Sequence, residues 1–181
     1  MTDIVYIIYW NRELKVCNRY SVQCIREKYK NCFSKMYYLV KGELEEFMIK
    51  NEIQIIKELC EKLKEEYRSE FFTPAKEVKI QNWEREYNIT LPELYKEWLR
   101  FSDGAVIRGN LAYFYGIEGI EVNNPQYPED FIIIGDLIGD GERLAFSKAT
   151  GKILRINHGQ VREYEDFVTF LNKMVIRMLR A

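Results

Sequence analysis

Between residues 116 and 142 the chain carries seven carboxylates and no Lys or Arg. A run of acids interrupted by glycines is where metal or phosphate chemistry would first be sought. The densest part, Gly135-Asp136-Leu137-Ile138-Gly139-Asp140-Gly141-Glu142, fits neither. A phosphate-cradling loop needs a following Gly-Lys-Ser/Thr, or a third glycine spaced for a dinucleotide, and both are missing here. A calcium loop draws its oxygens from an Asp-x-Asp-x-Asp-Gly order, which Asp136, Asp140 and Glu142 do not follow. The segment is read instead as a turn leaving a strand, with its glycines at positive φ.

His158 is the single histidine, so a Ser-His-Asp or Cys-His site would have to use it. It sits in Asn157-His158-Gly159, which reads as an exposed hairpin tip, whereas a general base needs a positioned partner and a sheltered pocket. The four cysteines, at 17, 24, 32 and 60, lack C-x-x-C spacing, and one histidine does not complete a zinc site around them. They are expected to be reduced thiols. The sequence therefore assigns no catalytic residue, no metal ligand and no cofactor, and the chain is not read as an enzyme.

What remains is binding. Tyr113, Tyr115 and Tyr127 flank the acidic window, and aromatic residues among carboxylates are what a binding face would look like, since Tyr and Trp are enriched at interface hot spots. The candidate partner-binding residues are Glu118, Glu121, Tyr127, Glu129, Asp130, Asp136, Asp140 and Glu142; a merely solvated acidic loop around ordinary strand aromatics is the competing reading. Residues 1–41 are basic, with eight Lys/Arg against three Asp/Glu. Nucleic-acid binding is nevertheless not expected, because the formal net charge is −1 and neither an RNP pattern nor finger spacing is present. No apolar run reaches the length of a membrane span. Ile4–Trp10 is short, follows Asp3 and lacks a basic leader, so a cytoplasmic location is expected. The sequence does not indicate an oligomeric state.

The elements that must position these residues follow from period. Residues 4–10 and 33–40 read as strands, with 16–25 ambiguous between them. Ile49, Ile53, Ile56, Cys60, Leu63 and Tyr67 recur at helical spacing within an amphipathic helix over 43–67, and 68–77 reads as a boundary. Ile80, Trp83 and Tyr87 mark a short helix stopped by Asn88. Thr90 and Glu93 form a capping-box pattern with Pro92 in the first turn, opening a helix whose face is Leu94, Tyr95, Trp98, Leu99 and Phe101, ended by Asp103-Gly104. Five short β runs follow: 111–115, 131–134, 143–146, 152–156 and 161–164. Turns at Thr150-Gly151 and His158-Gly159 make the last three an antiparallel meander. A final helix begins at Glu165 or Asp166 and buries Phe167, Leu171, Met174 and Met178. Helices, then strands, then a helix give an α+β fold.

The order Ile80-x-x-Trp83-Glu84-x-Glu86-Tyr87-x-Ile89-x-Leu91-Pro92-x-x-Tyr95-Lys96-x-x-Leu99, then Asp103-Gly104, then Phe131-Ile132-Ile133-Ile134-Gly135, then Gly151-Lys152-Ile153, then the helix from Phe167, resembles the SUKH superfamily, the Smi/Knr-like proteins. The resemblance covers about residues 76–181. It implies a SUKH-like domain with helices on a mainly antiparallel sheet; residues 1–75 have no counterpart in it and are read from period as an extension of strands plus the 43–67 helix, either packed on the rest or separate from it. It further implies a bacterial immunity protein that neutralises a cognate toxin, often a nuclease, by binding it. The alternative it implies is a non-enzymatic regulatory scaffold. The family has no shared catalytic residues.

Overall fold

The computed structural model describes residues 6–10, 13–17, 48–109, 111–137 and 141–181. The strand expected at 33–40, the ambiguous stretch beyond residue 17, the first residues of the long helix and Asp140 lie outside the described residues. The chain divides into two compact units, Met1–Leu44 and Glu45–Ala181. In the first, strands β1 (Tyr6–Trp10) and β2 (Glu13–Cys17) pair antiparallel with Trp10 opposite Glu13.

The second unit opens with helix α1 over 48–62. Its 3- and 4-residue spacing buries Ile49, Ile53, Ile56 and Cys60 in the same core as the later helices. The compact unit therefore starts ahead of the 75/76 boundary read from sequence. The helix stops short of the expected residue 67: the chain turns at Leu63, whose carbonyl accepts from the Tyr67 amide at 2.9 Å. Tyr67 is left partly exposed under the Arg108 guanidinium, 4.4 Å from its ring.

Residues 68–77, expected to be only a boundary, supply strand β3 (Glu70–Phe71), which pairs with β4 (Ala105–Ile107). Helix α2 (Glu77–Tyr87) buries Ile80 and Trp83 and ends as expected at Asn88, in the left-handed region at φ 52. Helix α3 runs Glu93–Phe101. The capping box expected at its start does not form. Leu91 precedes a proline and is held away from the helical region, so the cap position falls on Pro92, which has no side-chain acceptor. Glu84 of α2 takes over part of the role, its Oε1 accepting from the Leu91 amide at 2.8 Å. Glu93 turns instead to Lys96 and Arg100, at 2.8 and 3.0 Å. At the other end Ser102 is already extended, so the helix stops before Asp103, and Gly104 supplies the turn at φ 101.

Strands β5 (Ala112–Phe114), β6 (Phe131–Leu137), β7 (Glu142–Ser147), β8 (Ile153–Asn157) and β9 (Gln160–Tyr164) extend the sheet in the order β3-β4-β5-β6-β7-β8-β9, every neighbouring pair antiparallel. The meander expected for the last three runs is present, and His158-Gly159 forms its final turn with both residues at positive φ. Helix α4 spans 167–179, with a π-helical stretch at Leu171–Ile176. Asp166 caps it by accepting from the Thr169 amide at 2.6 Å. The wider π turn puts Met174, Val175 and Ile176 all in the core.

Side chains alternate across the sheet. Phe114, Ile132, Ile134, Leu144, Phe146 and Ile153 face the helices, where Trp98, Phe167 and Phe170 meet them. Tyr115, Ile133, Ala145, Leu154 and Ile156 form a second cluster, joined by Tyr127 and Phe131.

Gly135 lies inside β6, not in the turn expected of it, at a register shift against β7. A Cβ there would stand 2.5 Å from the Tyr113 carbonyl oxygen, closer than any real contact, so the glycine lets β5 and β6 approach. Gly135→Ala is expected to cost about 1–3 kcal/mol by overpacking, seen as a lower urea midpoint at unchanged m-value.

Candidate functional site

The second sheet face gathers part of the acidic window around one cation. Asp136 of β6 stands opposite Tyr113 on one side and Arg143 on the other. Arg143 Nη1 donates to Asp136 Oδ1 and to the Tyr115 hydroxyl, each at 2.7 Å, and the Tyr115 hydroxyl donates to Asp136 Oδ2 at 2.7 Å. These three bonds close a triangle. Glu121 approaches from the loop, its Oε1 3.5 Å from Arg143 Nη1 and its Oε2 accepting from Asn124 at 2.6 Å. The loop is pinned there because Glu121 bridges Ile133 in antiparallel fashion.

The electrostatics lock this arrangement. Burial, followed by the bond to Asp136, pushes the Tyr115 phenol above its ordinary range, so it remains a donor. Burial on its own would lower the Arg143 guanidinium, but Tyr115, Asp136 and Glu121 outweigh it and hold the group above its usual value. Beside this network Tyr113 is 44% exposed, with its ring edge-on to Tyr115 at 5.3 Å. A rigid aromatic on a preorganised polar base is a low-entropy anchor for a partner.

The other sequence candidates divide. Tyr127 is half-buried against the second cluster. Glu129 is exposed and makes no ion pair among the described residues. Glu118, on a short 3-10 turn (Ile117–Gly119), is 85% exposed and 3.0 Å from Lys79. Asp130 is a staple: its carboxylate accepts from the Ser147 hydroxyl at 2.6 Å and the Ala149 amide at 2.7 Å. Glu142 does not join an exposed face at all. It is 4% exposed and clamped by Arg155 at 2.6 and 2.7 Å, because alternation along β7 puts it on the face of Leu144 and Phe146, which meets the helices. Asp140 is not described.

Sequence reading missed Arg143, whose signal was the alternation Arg143, Ala145, Ser147 against Leu144 and Phe146. It becomes visible only with the β6–β7 register. Among the described residues no group of three or more His, Cys, Asp or Glu is placed to hold a metal, and no helix is long and apolar enough to cross a membrane.

No curated protein matches the chain. The model of the SMI1 / KNR4 family (SUKH-1) matches residues 74–173. That stretch begins at the turn before α2 and ends within α4, so it takes in α2, α3, the strands β4–β9 and the Tyr115–Asp136–Arg143 network. It is more than half of the 181 residues, and the chain belongs to the SMI1/KNR4 (SUKH-1) family.

Proposed function

We propose that the protein is an immunity protein of the cytoplasm that neutralises a cognate protein toxin by direct binding, without chemistry of its own. The observation that carries this reading is the sheet face itself. Exposed Tyr113 lies beside the braced Tyr115–Asp136–Arg143–Glu121 network, the combination of aromatic anchor and charged surround that suits a protein partner. If the toxin is a nuclease, its own site is basic to hold phosphate, and an acidic face competes for it. Family membership supports a binding role.

The test is to express the product of the neighbouring reading frame with and without this protein. Rescue from toxicity together with a purified complex supports the reading; a harmless or unbound neighbour sinks it. Within such a complex, Glu118→Gln combined with Glu129→Gln is expected to slow association on the order of tenfold at low salt and to flatten its salt dependence, with dissociation little changed. Stopped-flow association rates at two ionic strengths check this. Both residues are exposed, so the fold is not at stake.

One observation favours a second reading, a regulatory scaffold: Met1–Leu44 forms a compact unit of its own, as a separate recruiting module would. A scaffold gives no protection from toxicity, so the same co-expression separates the two.

A further inference from the structure

The two edges of the seven-stranded sheet are not equivalent. β3 is two residues long, and a short edge is a common protection against unwanted pairing. β9 is five residues long, pairs with β8 at every position without a bulge, and is exposed at all but Tyr164. The turn closes with Asn157 opposite Gln160. In an antiparallel ladder bonded and non-bonded pairs alternate, so Arg162 and Tyr164 spend their amides and carbonyls on β8. Those of Val161 and Glu163 face outward, and neither residue makes a backbone bond elsewhere among the described residues.

The side chains say what would pair there. Glu163 is already held by Lys152 at 3.0 Å. Arg162 is not matched: its cross-strand neighbour is Arg155, a like charge, and Arg155 is satisfied by Glu142. The Arg162 guanidinium lies 5.4 Å from the Tyr164 ring and has no carboxylate among the described residues. A like-charged cross-strand pair is unfavourable, and on the side away from β8 no described strand neighbours β9.

A second copy does not complete it. A two-fold antiparallel pairing that keeps faces matched centres on Val161, Arg162 or Glu163. Centred on Arg162 it sets Arg against Arg, and centred on Glu163 it sets Glu against Glu. Centred on Val161 it sets Arg162 against Gln160. Within β9 no register brings a carboxylate to Arg162; a pairing centred on Tyr164 would set Asp166 there, but Asp166 lies beyond the strand and its carboxylate caps α4.

We propose that β9 is a docking edge for an extended segment of a partner protein, which adds as an antiparallel strand and places an Asp or Glu opposite Arg162 and an apolar residue opposite Val161. The partner's main chain bonds to the outward amides and carbonyls of Val161 and Glu163. Its carboxylate supplies the counter-charge that the sheet lacks. This surface is separate from the Tyr113 face and does not depend on the immunity reading.

The probe is the capped pentapeptide Thr-Lys-Glu-Val-Thr, whose central Glu falls opposite Arg162, titrated into the full chain and followed by amide NMR and hydrogen exchange. Expected are shifts and slowed exchange centred on the Val161 and Glu163 amides. Affinity should be about fivefold higher than for Thr-Lys-Lys-Val-Thr, and Arg162→Glu should reverse that order. The peptide swap leaves the protein untouched, so the charge preference is read even if the variant fails to fold. Perturbations elsewhere, or equal affinity for both peptides, would overturn the proposal. So would protection of these two amides that rises with protein concentration without peptide, because the edge would then belong to a second copy.

Discussion

Trp98→Ala is expected to remove about 3–5 kcal/mol of stability, a large part of the roughly 5–15 kcal/mol that a domain possesses. Trp98 is fully buried at the centre of the unit. Its ring meets Phe114 at 4.7 Å, Phe101 at 5.6 Å, Phe167 at 5.8 Å and Phe71 at 6.4 Å. It thereby joins α3, β3, β5 and α4, and no single neighbour can collapse into the space it leaves. A second substitution separates volume from polarity. The indole Nε1 is buried with no hydrogen-bond partner among the described residues, and such a donor carries an unrecovered desolvation cost. Trp98→Phe gives up some volume but also removes that donor, so its loss should be less than half that of alanine. Urea unfolding of the three proteins checks both statements. Equal losses for Phe and Ala would mean that a phenyl ring does not fill the site and that shedding the unpaired donor recovers nothing.

The parts of this fold that were legible in the sequence are those whose signals are local. Helical spacing placed the buried faces of α1, α2, α3 and α4, because a helix repeats its contacts every few residues. Asn88 and Asp166 announced a stop and a start through their own side chains. Turn residues at Thr150-Gly151 and His158-Gly159 marked the β7–β9 meander. The errors came where the deciding partner is distant. The Thr90–Glu93 pattern is a sound capping box by itself, yet Pro92 moves the start of the helix and Glu84, from another helix, satisfies the freed amide. β3 and β4 are too short to show a period. Gly135 looks like turn chemistry until β5 is laid beside it.

The candidate site divides along the same line. Composition located the acidic window, but charge alone does not separate a carboxylate that meets solvent from one that holds the chain together. Asp130 ties the start of β6 to the turn after β7, and Asp136 ties β6 to Arg143, while Glu118 and Glu129 remain on the surface. Only strand register makes that distinction, since a shift of one residue exchanges the two faces of a strand. Arg143 and Arg162 gain their meaning in the same way. Each is an unremarkable basic residue in sequence, yet one faces Asp136 and the other faces Arg155.

Arg155→Ala is expected to cost about 3 kcal/mol, because it strands a carboxylate that water does not reach. Glu142 is nearly inaccessible, and Arg155 supplies two of its bonds, with Asn157 donating a third. The guanidinium in turn is held above its ordinary value, first by its hydrogen bond to Glu142. Breaking one side of a buried pair is strongly destabilising, whereas exchanging the whole pair for apolar residues of similar volume is often close to neutral. The double variant Glu142→Leu with Arg155→Met should therefore lie within about 1 kcal/mol of the parent, and the coupling between the two positions should be large. A double-mutant cycle from urea midpoints measures it. Additive losses would show that Glu142 finds solvent or another donor once Arg155 is gone, and would return this carboxylate to the set available to a partner.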